Sequence, residues 1–577
     1  MRILLLNRSP QRRTMPTSKA LAILLILTLT TPAIPEERAH GRSMVITQYG
    51  IVATSYVQAS QAGARILEAG GSAIDAGIAA NAVLSVAEPM MNGIGGDLFA
   101  IYWEAKTGKL YGLNASGWAP QALTIDHLKS KHVTAMPQAG IDSVTVPGAV
   151  DGWTKLHDRF GKLPWKSLFQ PAIYYAQNGV PIPEAIQSYW EGSVSALRTN
   201  PESQRVYLPG GKAPAVGQIF RNPDLADTLT TLADRGESAF YKGSIAQSIL
   251  KTSEHLGGTM TADDLASYSA EWVEPVSTTY RDWTVYELPP NGDGIAALEM
   301  LNIMEQTPPA ADGPLGTAEL HTRIEAMKLA YADVKAYDGD PKFSTIPVPE
   351  VISKPFAAKR AALINPAEAN CKVAPGALTG SDTTYLSVVD KEGNILSLIQ
   401  SNYNAFGSDV TVEGQGFVLQ DRGGLFSLDP KSPNALAGHK RPFHTIIPGF
   451  MQKGDRHIGF GIMGGMNQPL AHAQFVSNVV DYHMNIQAAL EAARFTVNSK
   501  LGCNIVIESR VPQATLDRLT QMGHILDVHA PYSTTMGRGQ AVLSDSATNT
   551  HYGASDPRAD GSAEPEYPKL PWVIILK

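Results

Sequence analysis

Hydrophobic positions along the chain change period several times, and each change marks an element. From Ser60 to Ala69 (SQAGARILEA) apolar residues recur at helical spacing, and Gly70-Gly71 supply the left-handed geometry that ends a helix. Ser72 can cap a second, Ala-rich helix (AIDAGIAANAVLSVA) that stops before Pro89, and its nearly all-round apolar character predicts burial. The glycine-rich stretch Met91-Asn92-Gly93-Ile94-Gly95-Gly96-Asp97 follows that helix and precedes a strand-like run, LFAIYW. A phosphate-cradling loop needs the reverse order, strand before and helix after, so the stretch reads as close backbone packing. Val144 to Gly148 (VTVPG) has the look of a strand end. His321 to Ala336 (HTRIEAMKLAYADVKA) is a helix halted by Gly339-Asp340-Pro341.

Between Pro347 and Ser381 the periodicity fades into a polar segment containing proline and glycine. The chain then turns sharply to alternation. Thr383 to Val389 (TTYLSVV) predicts a strand, Asp390 to Asn394 (DKEGN) a turn, and Ile395 to Ser401 (ILSLIQS) the return strand. A loose segment that runs straight into a core strand is either a loop before a hairpin or, in a self-processing precursor, the tail before a scissile bond.

Composition narrows the function classes. With 577 residues, a net charge of -7 and no basic run beyond the extreme N-terminus, the chain is not built to bind nucleic acid. A small-molecule or peptide ligand is the default. Two cysteines, Cys371 and Cys503, are too few for a disulfide framework or a Cys-based zinc site, and two unpaired thiols are expected. His321 and Glu325 lie four apart on one helix face. Without a third partner they read as a surface contact rather than metal ligands, and no metal or organic cofactor is implied. At the N-terminus, Arg2, Arg8, Arg12, Arg13 and Lys19 precede a short apolar run, ALAILLILTL, and then small residues. That order predicts a secretory leader over residues 1–43 and an exported, periplasmic or extracellular protein. An uncleaved anchor, or a start at Met44, is the alternative.

Six blocks carry a resemblance: ASQAGARILEAGGSAIDAGIAA, VTVPGAVDGW, HTRIEAMKLAYADVKAYDGDP, TTYLSVVDKEGN, GHKRPFHTIIP and YGASDPRADG. Together, and in this order, they resemble the γ-glutamyltransferase (glutathione hydrolase) family over almost all of the chain after Met44. The resemblance implies an α+β fold, the four-layer αββα sandwich of N-terminal-nucleophile hydrolases. It also implies a precursor cut between Asp382 and Thr383, giving a large subunit (44–382) and a small subunit (383–577) that stay together as a heterodimer. Thr383 is then the nucleophile. A threonine hydroxyl needs an adjacent base, and a freed α-amine, with an ordinary pKa of about 7.7–8.0, can serve. Ser401 falls where the family has a hydroxyl that touches the terminal threonine. Gly464 and Gly465 (IMGGMNQ) match the glycine pair whose N–H groups form the oxyanion hole. Asn404 is a further polar candidate.

Departures from the family pattern concern the substrate. Where typical members place an arginine for the glutamyl carboxylate, the stretch Asn114 to Pro120 has Ser116, which cannot offer a charged fork. Where they clamp the substrate amine with an amide and an aspartate, Leu419 to Ser427 (LQDRGGLFS) has Arg422 and Leu425. The Ser-Ser pair after Arg-Pro is His444-Thr445. Asp421, Arg422, His444, Thr445 and Ser116 are therefore the candidate substrate-binding residues, with Arg422 suited to an acid. The expected activity is hydrolysis, or transfer, of γ-glutamyl-type amides through a threonyl ester. The alternatives are an acylase-type hydrolase with a non-glutamyl acyl group and an exported binding protein without turnover.

Overall fold

Alternating residues with a high β-propensity give the strands their two faces, and here both faces are covered. The computed structural model describes residues 40–568 apart from 338, 374–381 and 498–501, so the leader expected at 1–43 lies almost wholly outside the described residues. Two seven-stranded sheets form the centre. In the first, the neighbours from edge to edge are Ser562–Pro565, Ile51–Thr54, Asp382–Val389, Ile395–Tyr403, Asp97–Glu104, Lys109–Ala115 and Glu271–Val273. In the second they are Val45–Thr47, Thr550–Ser555, Arg538–Asp545, Arg456–Met463, Gly449–Lys453, Trp283–Glu287 and Val276–Tyr280. The helices Val57–Glu68, Ala73–Ala87 and Ala149–Phe160 cover the first sheet, while Gly294–Met304, Gln468–Val480 and Ile486–Glu491 cover the second. The result is the αββα sandwich, an α+β fold, with one apolar cluster that draws on both sheets and a second between the second sheet and its helices.

The Ala73–Ala87 helix shows why this sequence folds this way. Ser72 and Asp75 form a reciprocal capping box at its start, and all fifteen of its residues are buried. Small side chains let it lie close to the sheet: a Cβ on Gly77 would come within 2.3 Å of Leu396. The preceding helix, Val57–Glu68, starts three residues earlier than the apolar pattern indicates and ends at Gly70, where φ is +92°. The long helix is likewise extended at both ends, to Thr317–Tyr337.

The glycine stretch 91–97 is close packing, as its order implies. A Cβ on Gly95 would sit 2.1 Å from the Val418 carbonyl, and one on Gly96 2.6 Å from the Ser401 carbonyl. Two expectations are corrected. Residues 144–148 form no strand, because Gly148 and Ala149 donate their N–H groups to Gly96 and start a helix instead. Cys371 and Cys503 are not free thiols: they form a disulfide with a Cα–Cα distance of 5.0 Å across a sequence separation of 132. Ala369, donating to the Met522 carbonyl, and Ile525, donating to the Cys503 carbonyl, bring the two segments together. No sequence spacing reveals a pairing made by tertiary contacts that distant. Among the described residues no helix is long and apolar enough to cross a membrane.

Backbone crowding at Gly95 generates a direct test. Gly95→Ala should lose about 1–3 kcal/mol of stability in chemical denaturation, because the new methyl meets fixed backbone. Gly192→Ala, at a helix end with nothing within 4 Å, should be neutral or stabilising by up to about 1 kcal/mol. Equal effects would show that the packing does not constrain the loop.

Candidate active site

The nucleophile strand Asp382–Val389 pairs with Ile395–Tyr403 through the Asp390–Asn394 turn, where the Asp390 carboxylate accepts from the Asn394 backbone and side chain and Gly393 has φ of +83°. Pairing is regular from Val389–Ile395 to Thr384–Gln400. It then slips, so that Asp382 faces Tyr403 and the single residue Thr383 lies opposite both Ser401 and Asn402. A bulge of this kind re-aims a side chain at a sheet end. Tyr403, just beyond it, has φ of +80°, an unusual value for a bulky residue.

Period-2 alternation separates the two adjacent threonines. Thr384 faces the outer helices, where its hydroxyl donates to Glu88 Oε2 at 2.7 Å. Thr383 faces the space between the sheets, fully buried, with Oγ1 donating to Ser401 Oγ at 3.1 Å. On that face Ser387 Oγ donates to the Gly459 carbonyl at 3.2 Å, and the Tyr385 ring fills the space that a side chain on Gly461 would need. The facing strand, Arg456–Met463, ends at Met463. There the chain turns through Gly464 (φ +136°) and Gly465 (φ +58°) into the Gln468–Val480 helix. Both angles belong to glycine, and backbone N–H groups leading into a helix start make an anion-stabilising surface.

Ser401 is the hub. Its Oγ is met by Thr383, by the Tyr403 backbone N–H at 2.8 Å and by Arg422 Nη2 at 3.0 Å. Arg422 is itself fully buried, donates through Nη1 to Thr445 Oγ1 at 2.7 Å, and stacks 4.5 Å from the centre of the Tyr403 ring. Burial pulls its pKa down, while Asp97, Tyr403, Asp421 and Asp293 pull it up. No carboxylate among the described residues lies within ion-pair distance of it, and its Nε has no hydrogen-bond partner. A buried, charged guanidinium with a donor not used within the fold, and with its acids held at a distance, has the chemistry to bind an anion.

The other candidate residues take different places. Asp421 accepts from the Asn404 backbone at 3.0 Å and side chain at 2.5 Å, and burial raises its pKa to about 7. His444 Nε2 lies 3.0 Å from Asp97 Oδ2, and the Ile446 N–H donates to its Nδ1, which fixes the Nε2–H tautomer. Burial, with Arg422 and Arg441 nearby, keeps His444 neutral. Burial also raises Asp97 to about 7. Ser116 Oγ donates to Asn114 Oδ1 at 2.7 Å and is tied to Asn291, so its hydroxyl is spent inside the fold. Asp421 and His444 thus brace the elements that carry Arg422 and Thr445, and Ser116 contacts neither Arg422 nor Thr383.

Two acids escaped the sequence reading. Asp293, in the turn PPNGDG ahead of the Gly294–Met304 helix, is fully buried with neither side-chain oxygen partnered, in the field of Arg422, and burial drives its pKa well up. Glu88, raised chiefly by burial, anchors Thr384 from the end of the Ala-rich helix. Acids beside Pro-Gly turns and at the end of an all-apolar helix were the available signals. The expected surface pair His321–Glu325 is also corrected: both are buried, and His524 joins them with ligand atoms within 4.8 Å of one another. His321 bonds His524 at 2.9 Å and the Asn365 carbonyl at 2.9 Å, while Glu325 holds Lys328 at 2.7 Å. His524 Nδ1 has no hydrogen-bond partner among the described residues.

With this geometry in view, relatives become informative. The sequence profile of gamma-glutamyltranspeptidase matches residues 59–566. A glutathione hydrolase-like proenzyme of Bacillus subtilis is 37% identical over 91% of this chain and 99% of its own. An oxamate amidohydrolase proenzyme of Klebsiella pneumoniae is 32% identical over 90% and 98%. Among solved structures, a cephalosporin acylase from Bacillus halodurans superposes with a TM-score of 0.86 at 39% identity, covering 93% of this chain and 99% of that one. The chain belongs to the gamma-glutamyltranspeptidase family and is a self-processing amide hydrolase of the N-terminal-nucleophile type, like the glutathione hydrolases and acylases it is similar to.

Proposed function

We propose that Thr383 is the nucleophile of both self-cleavage and substrate turnover, and that the acyl group it accepts carries a carboxylate bound by Arg422. In the uncut chain the Thr383 hydroxyl attacks the preceding carbonyl of Asp382, forming an ester that water resolves. The large subunit then ends at Asp382 and the small one begins at Thr383. The freed α-amine takes the hydroxyl proton during substrate attack. Ser401 orients the hydroxyl; with the Arg422 cation bound to it, Ser401 is a poor base. The Gly464-Gly465 turn faces the developing oxyanion, and Thr383 passes the acyl group to water or to an acceptor amine.

One observation supports the substrate reading: the buried Arg422 donates to Ser401 and Thr445 and, among the described residues, forms no ion pair with a carboxylate, while its Nε has no partner in the fold. An acid bound there sits next to the residue that touches the nucleophile, so the acid and the scissile amide belong to one short acyl group. Burial drives the Asp293 carboxyl toward its neutral form, which weakens it as a counter-charge for an ammonium. Leu425 offers nothing to an amine. Dicarboxylic monoamides of the glutaryl and oxamate type therefore fit better than a free glutamyl head group. The similarity to a protein named an oxamate amidohydrolase supports this, since oxamate is itself a carboxylate-bearing amide. Residues 1–43 act as an export leader in this reading.

Thr383→Ala should leave one uncut chain on a reducing denaturing gel and abolish amide hydrolysis, whereas the unchanged protein shows two pieces. Processing in the variant would exclude Thr383. For the substrate, kcat/KM ratios of glutaryl- to butyryl-p-nitroanilide should favour glutaryl, and Arg422→Ala should cut that ratio by about 10–100-fold, the worth of a charged hydrogen bond of roughly 1.5–3 kcal/mol. Rapid turnover of γ-glutamyl-p-nitroanilide undiminished in Arg422→Ala would contradict the acid site. A reporter fused behind residues 1–43 should be exported from a bacterial host; retention inside the cell would contradict the leader.

A further inference from the structure

The Cys371–Cys503 disulfide lies outside the catalytic constellation, yet its two ends fall on opposite sides of the Asp382–Thr383 bond. Cys371 precedes that bond by eleven residues in the sequence, and Cys503 follows it. The two sulfurs also differ in their surroundings. Cys371 is exposed, whereas Cys503 is 2% exposed, at the start of the Asn504–Glu508 strand. Directly beneath Cys503 Sγ, at 3.6 Å, is Lys328 Nζ, whose side chain is completely buried and which is held by Glu325 at 2.7 Å. One sulfur is reachable from solvent, and the other sits against a cation.

That asymmetry has a chemical consequence. Thiol–disulfide exchange goes by attack of a thiolate along the S–S axis, and it is governed by access to the attacked sulfur and by stability of the departing thiolate. Here both conditions choose the same direction. A small external thiolate RS⁻ reaches Cys371 Sγ and forms RS–S–Cys371; the S–S bonding pair departs on Cys503 Sγ, as a thiolate next to the Lys328 ammonium. A second RS⁻ then attacks the external sulfur of the mixed disulfide, releasing RS–SR and leaving Cys371 as a thiolate. Two thiols are oxidised and one protein disulfide is reduced.

We propose that Cys371–Cys503 is a covalent tether between the large and small subunits, and a thiol-exchange site that small thiols open from the Cys371 side. The tether function rests on cleavage at Asp382–Thr383; the exchange chemistry does not. Once the chain is cut, the disulfide replaces the lost peptide link and keeps the end of the large subunit pinned near the small one. Opening it converts a one-molecule unfolding into a two-chain dissociation. Thermal stability then depends on protein concentration.

Four measurements test this. On a denaturing gel run without reductant, after blocking with N-ethylmaleimide, the processed protein should run as one band, and with reductant as two. Two bands in both lanes would overturn the tether, while one full-length band in both would show that cleavage itself had failed. Thiol counting in denaturant reads the cross-link independently of cleavage: no alkylatable thiol is expected before reduction and two after, and two before would overturn it. For the direction of exchange, the folded protein is treated with limiting 2-mercaptoethanol, quenched in acid, alkylated and peptide-mapped. The adduct should sit on Cys371 and the alkyl group on Cys503; an adduct on Cys503, or an even split, would contradict the proposal. Lys328→Met should slow opening by about threefold to tenfold, through the raised leaving-group pKa, and an unchanged rate would remove the lysine from the account. The peptide map on the unsubstituted protein stands even where that variant fails to fold.

Discussion

Everything at the site depends on how the Asp382–Val389 strand meets its return strand. Regular pairing holds the two together for six residue pairs, and the slip at Thr383 sets one residue against Ser401 and Asn402. Without the slip the hydroxyl would stay in ladder geometry like its neighbours. With it, Thr383 lies at a strand end, between two sheets, touching Ser401. Gly96, just ahead of the adjoining strand, supports the arrangement, because a Cβ there would come within 2.6 Å of the Ser401 carbonyl.

A second constraint follows from burial. Placing a reactive hydroxyl in the interior demands that the polar groups around it be satisfied, and most are: Asp97 by His444, Gln420 and Gly117, Asp421 by Asn404, and Thr384 by Glu88. Arg422 stands out because its buried charge is balanced only by acids beyond ion-pair distance, Asp97, Asp421 and Asp293. The low-dielectric setting that makes it costly in the empty protein makes it selective for an anion. Substrate preference and nucleophile position are thus coupled through one shared oxygen, Ser401 Oγ.

Much of this was legible in the sequence where the signal is local. The Ser72 cap, the 390–394 turn, the two strands around it and the tight glycines at 95 and 96 all follow from short-range steric and hydrogen-bonding rules. The αββα architecture was legible through the family blocks. What stayed hidden is long-range. Cys371 and Cys503 meet only because Ala369 and Ile525 bring two distant segments together. Asp293 reaches the field of Arg422 from a turn far away in the chain, and His524 joins His321 and Glu325 across 203 residues of sequence from His321. The fate of Ser116 was likewise set by partners, Asn114 and Asn291, that spacing does not reveal.

The central claim is that one oxygen, on Thr383, cuts the chain and then serves as the first residue's nucleophile. N-terminal sequencing of the smaller piece of the purified, processed protein tests it most directly. The account requires that piece to begin Thr383-Thr384-Tyr385. A start at Thr384, or at any other residue, would contradict it.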